Sequence, residues 1–214
     1  MKLDVQKMKE AAKYFEGEHD FKAFKASGTS SKSSVRTIYE ANVYQKGSTN
    51  ILVSAPHNVS QYYMGVYKVS DFGTGTIVAS LNLLSDCNLI IKTKNIGSVF
   101  VNDNANREIN SNYRETIKKE VKENKIKAVL DIHALRKTRK EEINIGINNG
   151  ININNDKELL NMLVSIANKH NFNVSIDAPF HAGKGTISSF VHNECGVIGI
   201  QYEINSKFIN NCSR

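Results

Sequence analysis

Four side chains suited to metal or acid–base chemistry stand at the ends of short apolar runs. His57 follows Ile51-Leu52-Val53-Ser54-Ala55 and Pro56. Asp131 and His133 close the run Ala128-Val129-Leu130, and Glu203 closes the run that starts at Val197. Short apolar runs of this kind predict buried strands. Asp131 and His133 are two residues apart, so they share one face of a strand, where the carboxylate can hold the imidazole's orientation. A neutral imidazole binds Zn²⁺ well, and a catalytic zinc keeps three protein ligands and an open position for water. The metal lowers the pKa of that water to about 7 and polarises a carbonyl. Glu203 would take the water's proton and pass it to a leaving nitrogen. Spacing alone leaves each histidine open to two readings, packed residue or ligand; joint placement at separate strand ends shifts the balance toward the second without deciding it.

Those residues need a scaffold. Strands are predicted over 51–55, 88–92, 128–132, 143–147, 172–176 and 197–203. Helices are predicted over 74–84, 109–124 and 159–170, with another starting at Thr186-Ile187-Ser188-Ser189. Strands alternating with helices imply an α/β fold, with a central sheet covered on both faces. Ligands in such sheets collect beyond the carboxyl ends of the strands, where His57, His133 and Glu203 stand. His181 and Lys184 fall in a glycine-containing loop before the last helix. Its backbone amides could face an anion, and a plain loop explains it equally well. Before residue 48 the rhythm differs: an amphipathic helix over 3–16, a Ser/Gly/Thr/Lys loop over 27–34 and an alternating strand over 35–45.

Composition narrows the class. Of 214 residues, 40% are hydrophobic and 23% charged, the balance of an ordinary soluble domain. No apolar run approaches the roughly 20 residues a membrane helix needs, and the charged N-terminus is unlike a secretory signal, so the expected location is the cytoplasm. Cys87, Cys195 and Cys212 stand far apart, which excludes a CxxC zinc knuckle and argues against a disulfide framework. The net charge of +7 is spread along the chain, compatible with anionic partners without requiring them.

From about Ile51 to Asn205 the chain resembles the N-formylglutamate amidohydrolases, a branch similar to the zinc carboxypeptidases. The matching segments are Ser54-Ala55-Pro56-His57, Asp103-Asn104-Ala105-Asn106-Arg107, Leu130-Asp131-Ile132-His133, His181-Ala182-Gly183-Lys184-Gly185 and Ile200-Gln201-Tyr202-Glu203-Ile204-Asn205. The resemblance implies a three-layer αβα domain over 49–214 with a mostly parallel or mixed sheet. It implies zinc on His57 and His133, Glu203 as general base, and Asn106 and Arg107 gripping a substrate carboxylate, a task that suits a guanidinium fork. Gly183 and Lys184 join the substrate side in this reading. The implied substrate is a small N-acyl amino acid. The chain departs from the pattern where a Glu should follow the first ligand His by three residues, because Ser60 stands there. The third metal ligand is therefore sought at Asp71, with Asp103 second. Arg114 competes with Arg107 for the carboxylate, against its plainer reading as a solvated helix residue.

Residues 1–48 resemble the TruA-type tRNA pseudouridine synthases through Glu10-Ala11-Ala12-Lys13-Tyr14-Phe15, Gly17-Glu18-His19-Asp20-Phe21, Phe24 and Val35-Arg36-Thr37-Ile38. The resemblance covers a small α+β fragment from the later half of that family's domain. The family's catalytic Asp sits in an Arg-Thr-Asp motif, which this sequence lacks. The expected activity is zinc-dependent amide hydrolysis. The alternatives are an RNA-binding or RNA-modifying protein with weak tRNA contact through residues 1–48, and an inactive fusion product.

Overall fold

The computed structural model describes residues 5–24, 33–39, 41, 49–63, 66–93 and 112–209. Its contacts divide the chain into two units, Met1–Lys46 and Gly47–Arg214. In the first unit, helix α1 (Val5–Lys13) precedes strands β1 (Gly17–Asp20) and β2 (Val35–Ile38), which pair antiparallel. Glu16 is fastened to Lys13 at 2.7 Å and accepts from the Ala41 amide at 3.1 Å. The strand expected over 35–45 is ordered as β2 only to Ile38; residues 42–48 lie outside the described residues.

The second unit is a mixed α/β fold. In chain order it runs β3 (Ile51–Ala55), β4 (Gln61–Tyr63), β5 (Val66–Lys68), α2 (Thr74–Ser85), β6 (Asn88–Ile91), α3 (Asn112–Glu123), β7 (Ala128–Leu135), β8 (Ile143–Gly146), α4 (Lys157–Lys169), β9 (Val174–Ile176), α5 (Ile187–Cys195), β10 (Ile198–Asn205) and α6 (Ser206–Ile209). Six strands form one sheet in the order β6-β3-β7-β10-β8-β9, parallel except where β8 opposes β10. β4 and β5 make a separate hairpin, which no alternating pattern in the sequence announces.

Strand alternation decides what each face buries. Leu52 and Val129 point to one face and pack with Ile117 and Val121 of α3 and Ile187 and Phe190 of α5. Val53, Ala55 and Ile132 point to the other and pack with Val78 of α2. Ile145 and Ile200 pack there too, beside Leu159, Leu160 and Leu163 of α4. Each fully buried aliphatic side chain contributes roughly 1.5–3 kcal/mol. The helices start and stop where local chemistry says they should. Asp156 accepts from Leu159 N at 2.9 Å and Thr186 from Ser189 N at 3.1 Å, while Gly196 ends α5 at φ 67°. α5 lies close on the sheet because Gly199 has no Cβ; one there would meet the Ser188 carbonyl oxygen at 2.1 Å.

The chain leaves β3 outward to β6 through α2 on one face and returns to β7 through α3 on the other. The direction of winding therefore reverses between β3 and β7, the position at which open α/β sheets form a ligand crevice.

Candidate metal centre

The face that carries Leu52 and Val129 changes character toward the carboxyl ends of its strands. Ser54, Asp131, His133, Gln201, Glu203 and Asn144 are all buried there. Register explains the clustering: Ser54 lies beside Asp131, Gln201 beside Asp131 on the other side, and Glu203 between His133 and Asn144. Buried polar groups need partners: Asp131 bonds Ser54 and His133, Gln201 donates to Glu203, and Asn144 bonds the backbone of Ser175 and Phe180.

His57 sits in the turn after β3, its ring centroid 4.8 Å from that of His133 at an 83° interplanar angle. Asp71 reaches both rings. Its Oδ2 lies 3.1 Å from His133 Nδ1 and 3.6 Å from His57 Nδ1. The chain between Asn58 and Asp71 is folded back so that Asp71 N donates to His57 O at 2.8 Å, and Thr74 Oγ1 donates to Asp71 O at 2.8 Å. Gly75 permits the close approach; its amide donates to Asn58 Oδ1 at 3.0 Å, where a Cβ would collide. On the far side of His133, Nε2 meets Asp131 Oδ2 at 2.9 Å, and Gln201 Nε2 donates to Glu203 Oε1 at 2.8 Å.

The electrostatics follow from burial and from this arrangement. Burial lowers the pKa of His57 and outweighs the attraction of Asp71, so this ring is neutral at neutral pH. Burial would also discharge His133, but the carboxylates of Asp131, Asp71 and Glu203 prevail and hold its pKa well above the usual imidazole range. Burial opposes ionisation of Asp71 as well; its contacts with His133 and His57 win and keep it an anion. For Glu203 burial dominates and raises the pKa, only partly offset by His133.

His57, Asp71 and His133 thus bring three donor atoms within 4.8 Å of one another, two imidazole nitrogens and a carboxylate oxygen. That donor set fits a zinc ion, with Asp71 placed where a third donor would stand. Metal uptake requires the proton on His133 Nδ1 to leave. In a weakly buffered indicator solution near pH 7.5, zinc binding is expected to release about one proton per ion, and affinity to fall on acidification. Proton-neutral uptake would show that His133 enters the site already discharged. Without metal, the depressed Asp71 gives stability that is present above about pH 4 and lost as pH falls. The raised His133 gives stability that is complete below about pH 6.5 and lost as pH climbs through its folded value.

Asn106, Arg107 and Asp103 lie outside the described residues. Gly183 is buried against the His181 ring, and Lys184 is exposed; neither hydrogen-bonds to the histidine–carboxylate cluster among the described residues. Arg114 is not the solvated residue its helix position implied. It is buried, donates from Nη2 to Gly185 O at 2.9 Å and holds its guanidinium 4.7 Å above the Phe190 ring. Two site residues escaped the sequence reading: Ser54, one residue inside the end of β3, and Tyr113, which passes there for part of an apolar stripe.

Comparison with known proteins bears on the other end of the chain. Residues 11–77 match the family model described as tRNA pseudouridine synthase. Among curated relatives, a tRNA pseudouridine synthase A of Pseudothermotoga lettingae is 52% identical over 52 residues, 24% of this chain and 21% of that protein. Its namesake from Ruminiclostridium cellulolyticum is 36% identical over 91 residues, covering 37% of each. The chain spans only about a fifth of the length of the first of these relatives. The matched stretch crosses the boundary between the two units and takes in β3, His57 and Asp71, which belong to the second. A crystal structure of a gene product from Agrobacterium tumefaciens is similar at TM-score 0.49 and 13% identity, covering 76% of this chain and 83% of that one. The family model and the two synthases support the pseudouridine synthase resemblance of the N-terminal part. They lend no support to the amidohydrolase resemblance, so the hydrolase reading rests on the geometry of the centre. Among the described residues no helix is long and apolar enough to cross a membrane.

Proposed function

We propose that the chain joins a segment related to tRNA pseudouridine synthases, residues 1–48, to a metal-dependent hydrolase, residues 49–214. The hydrolase part cleaves the amide bond of a small N-acyl amino acid on a zinc-carboxypeptidase-like scaffold. The carrying observation is the convergence of His57, Asp71 and His133 beside Glu203 at the switch point of the sheet. When bound there, zinc supplies a Lewis acid for the amide carbonyl and a water of lowered pKa.

The chain's own residues do the rest. Asp131 holds His133 in one orientation. Gln201 holds Glu203 Oε1, which leaves Oε2 to receive the water's proton and deliver it to the leaving nitrogen. Burial raises the pKa of Glu203 and so makes it a stronger base. Asn106 and Arg107 grip the substrate carboxylate in this reading, and Gly183 and Lys184 also bind substrate. The test is a panel of N-acyl amino acids, N-formylglutamate among them, assayed with zinc supplied. Hydrolysis that stops on chelation and returns with zinc is expected; no turnover of any member by zinc-loaded protein would leave the chain an inactive fusion product.

The relatives favour a second reading, retained tRNA contact through residues 1–48. Such contact would weaken steeply as salt rises, by release of counterions from the phosphates. Filter or gel-shift binding of bulk tRNA at low and moderate salt decides it, and absence of binding at low salt removes it.

A further inference from the structure

Asp131 orients His133, but a buried carboxylate must itself be held. Asp131 is fully buried, and its second oxygen, Oδ1, accepts from Ser54 Oγ at 2.8 Å. Ser54 is fully buried too, and it lies directly beside Asp131 in the β3–β7 register. Behind it stands Tyr113, from the first turn of α3. The phenol oxygen is 3.0 Å from Ser54 Oγ and 3.0 Å from the carbonyl of Ile90 in β6. An unbroken chain of polar contacts therefore runs from Ile90 through Tyr113, Ser54 and Asp131 to His133 and Asp71.

Counting hydrogens shows how this chain is polarised. Three contacts link Ile90 O, Tyr113 OH, Ser54 Oγ and Asp131 Oδ1, yet the two hydroxyls carry one hydrogen each, and the carbonyl and carboxylate can only accept. The charge-assisted bond to the carboxylate is the strongest of the three and claims the Ser54 hydrogen. The Tyr113 hydrogen then serves Ile90 O or Ser54 Oγ. In either arrangement Asp131 Oδ1 is occupied, and Oδ2 is left as the acceptor for His133 Nε2–H. That fixes which proton a metal displaces: the hydrogen on Nε2 stays with Asp131, and Nδ1, the atom that faces Asp71, is the one freed to bind.

We propose that Ser54 and Tyr113 are positioning residues of the metal centre, whose hydroxyls lock Asp131 and through it aim His133 Nδ1 at the metal. This rests on the reading of His57, Asp71 and His133 as a metal site. Neither hydroxyl is among the three converging donor atoms. Their contribution is to metal affinity, through the number of orientations the ligand imidazole must give up on binding.

The experiment is zinc binding by full-length protein, measured by competition with a chromophoric chelator. Wild type is compared with Ser54→Ala, Tyr113→Phe and Val78→Ala. Loss of an outer hydrogen-bonding partner typically weakens metal binding about 10–100-fold, and Ser54→Ala is expected in that range. Tyr113→Phe keeps the ring and falls between Ser54→Ala and wild type. Val78→Ala empties space on the opposite face of the sheet. It is expected to lower the melting temperature and leave zinc affinity unchanged, which separates aiming from mere stability. Should Ser54→Ala fail to fold, Tyr113→Phe carries the decision, with at least about threefold weaker zinc binding expected. Wild-type affinity in a folded Ser54→Ala protein overturns the proposal and leaves the metal site intact; so does wild-type affinity in Tyr113→Phe where Ser54→Ala does not fold. No zinc uptake by the wild type overturns both.

Discussion

Glu203→Gln is expected to lower the rate of amide hydrolysis by about 10²–10⁴-fold while zinc content stays at the wild-type level. The amide fills the same volume and can still accept from Gln201 Nε2, which now bonds Glu203 Oε1 at 2.8 Å. It cannot carry a proton from water to a leaving group. Because burial raises the pKa of Glu203, the substitution removes a group that is costly to keep charged, so stability should fall little or rise. Assaying kcat and metal content on one preparation separates loss of the base from loss of the ion. Unchanged turnover would place the base on another residue.

His133→Ala has the second large effect, and it is on stability. Asp131 is fully buried and faces His133 Nε2 at 2.9 Å. Removing the imidazole takes away the cation that faces this buried carboxylate, and breaking a buried charge pair in this way costs about 3–5 kcal/mol. Urea unfolding of metal-free protein reads it directly. Adding Asp131→Asn to His133→Ala is expected to recover part of the loss, because the unpaired charge goes with it. A loss under about 1 kcal/mol for His133→Ala alone would mean that Asp131 is not held as a charged partner of His133.

Much of this site is legible in the residue order. Apolar runs marked β3, β7 and β10, and alternation put Asp131 and His133 on one face of β7. What linear pattern cannot carry is pairing. Nothing in Ile143–Gly146 announces that β8 runs antiparallel to β10, because a period of two is the same in either direction. Asp71 reaches the histidines only because β4 and β5, three residues each, fold the chain back; strands so short leave no periodic trace. Tyr113 shares a helical stripe with Ile117 and Val121, so its ring reads as core and its hydroxyl goes unnoticed. Arg114 reads as solvated because charge normally implies exposure, and it is buried because its stem and guanidinium find Phe190 and Gly185 O.

The central claim is that His57, Asp71 and His133 hold a metal ion. Elemental analysis of purified full-length protein, incubated with zinc and desalted, tests it beside His57→Ala. That substitution empties a half-buried position and leaves the Asp131–His133 pair intact. About one zinc per wild-type chain and almost none in the folded variant are expected. Zinc-free wild type, or equal zinc in both proteins, would contradict it.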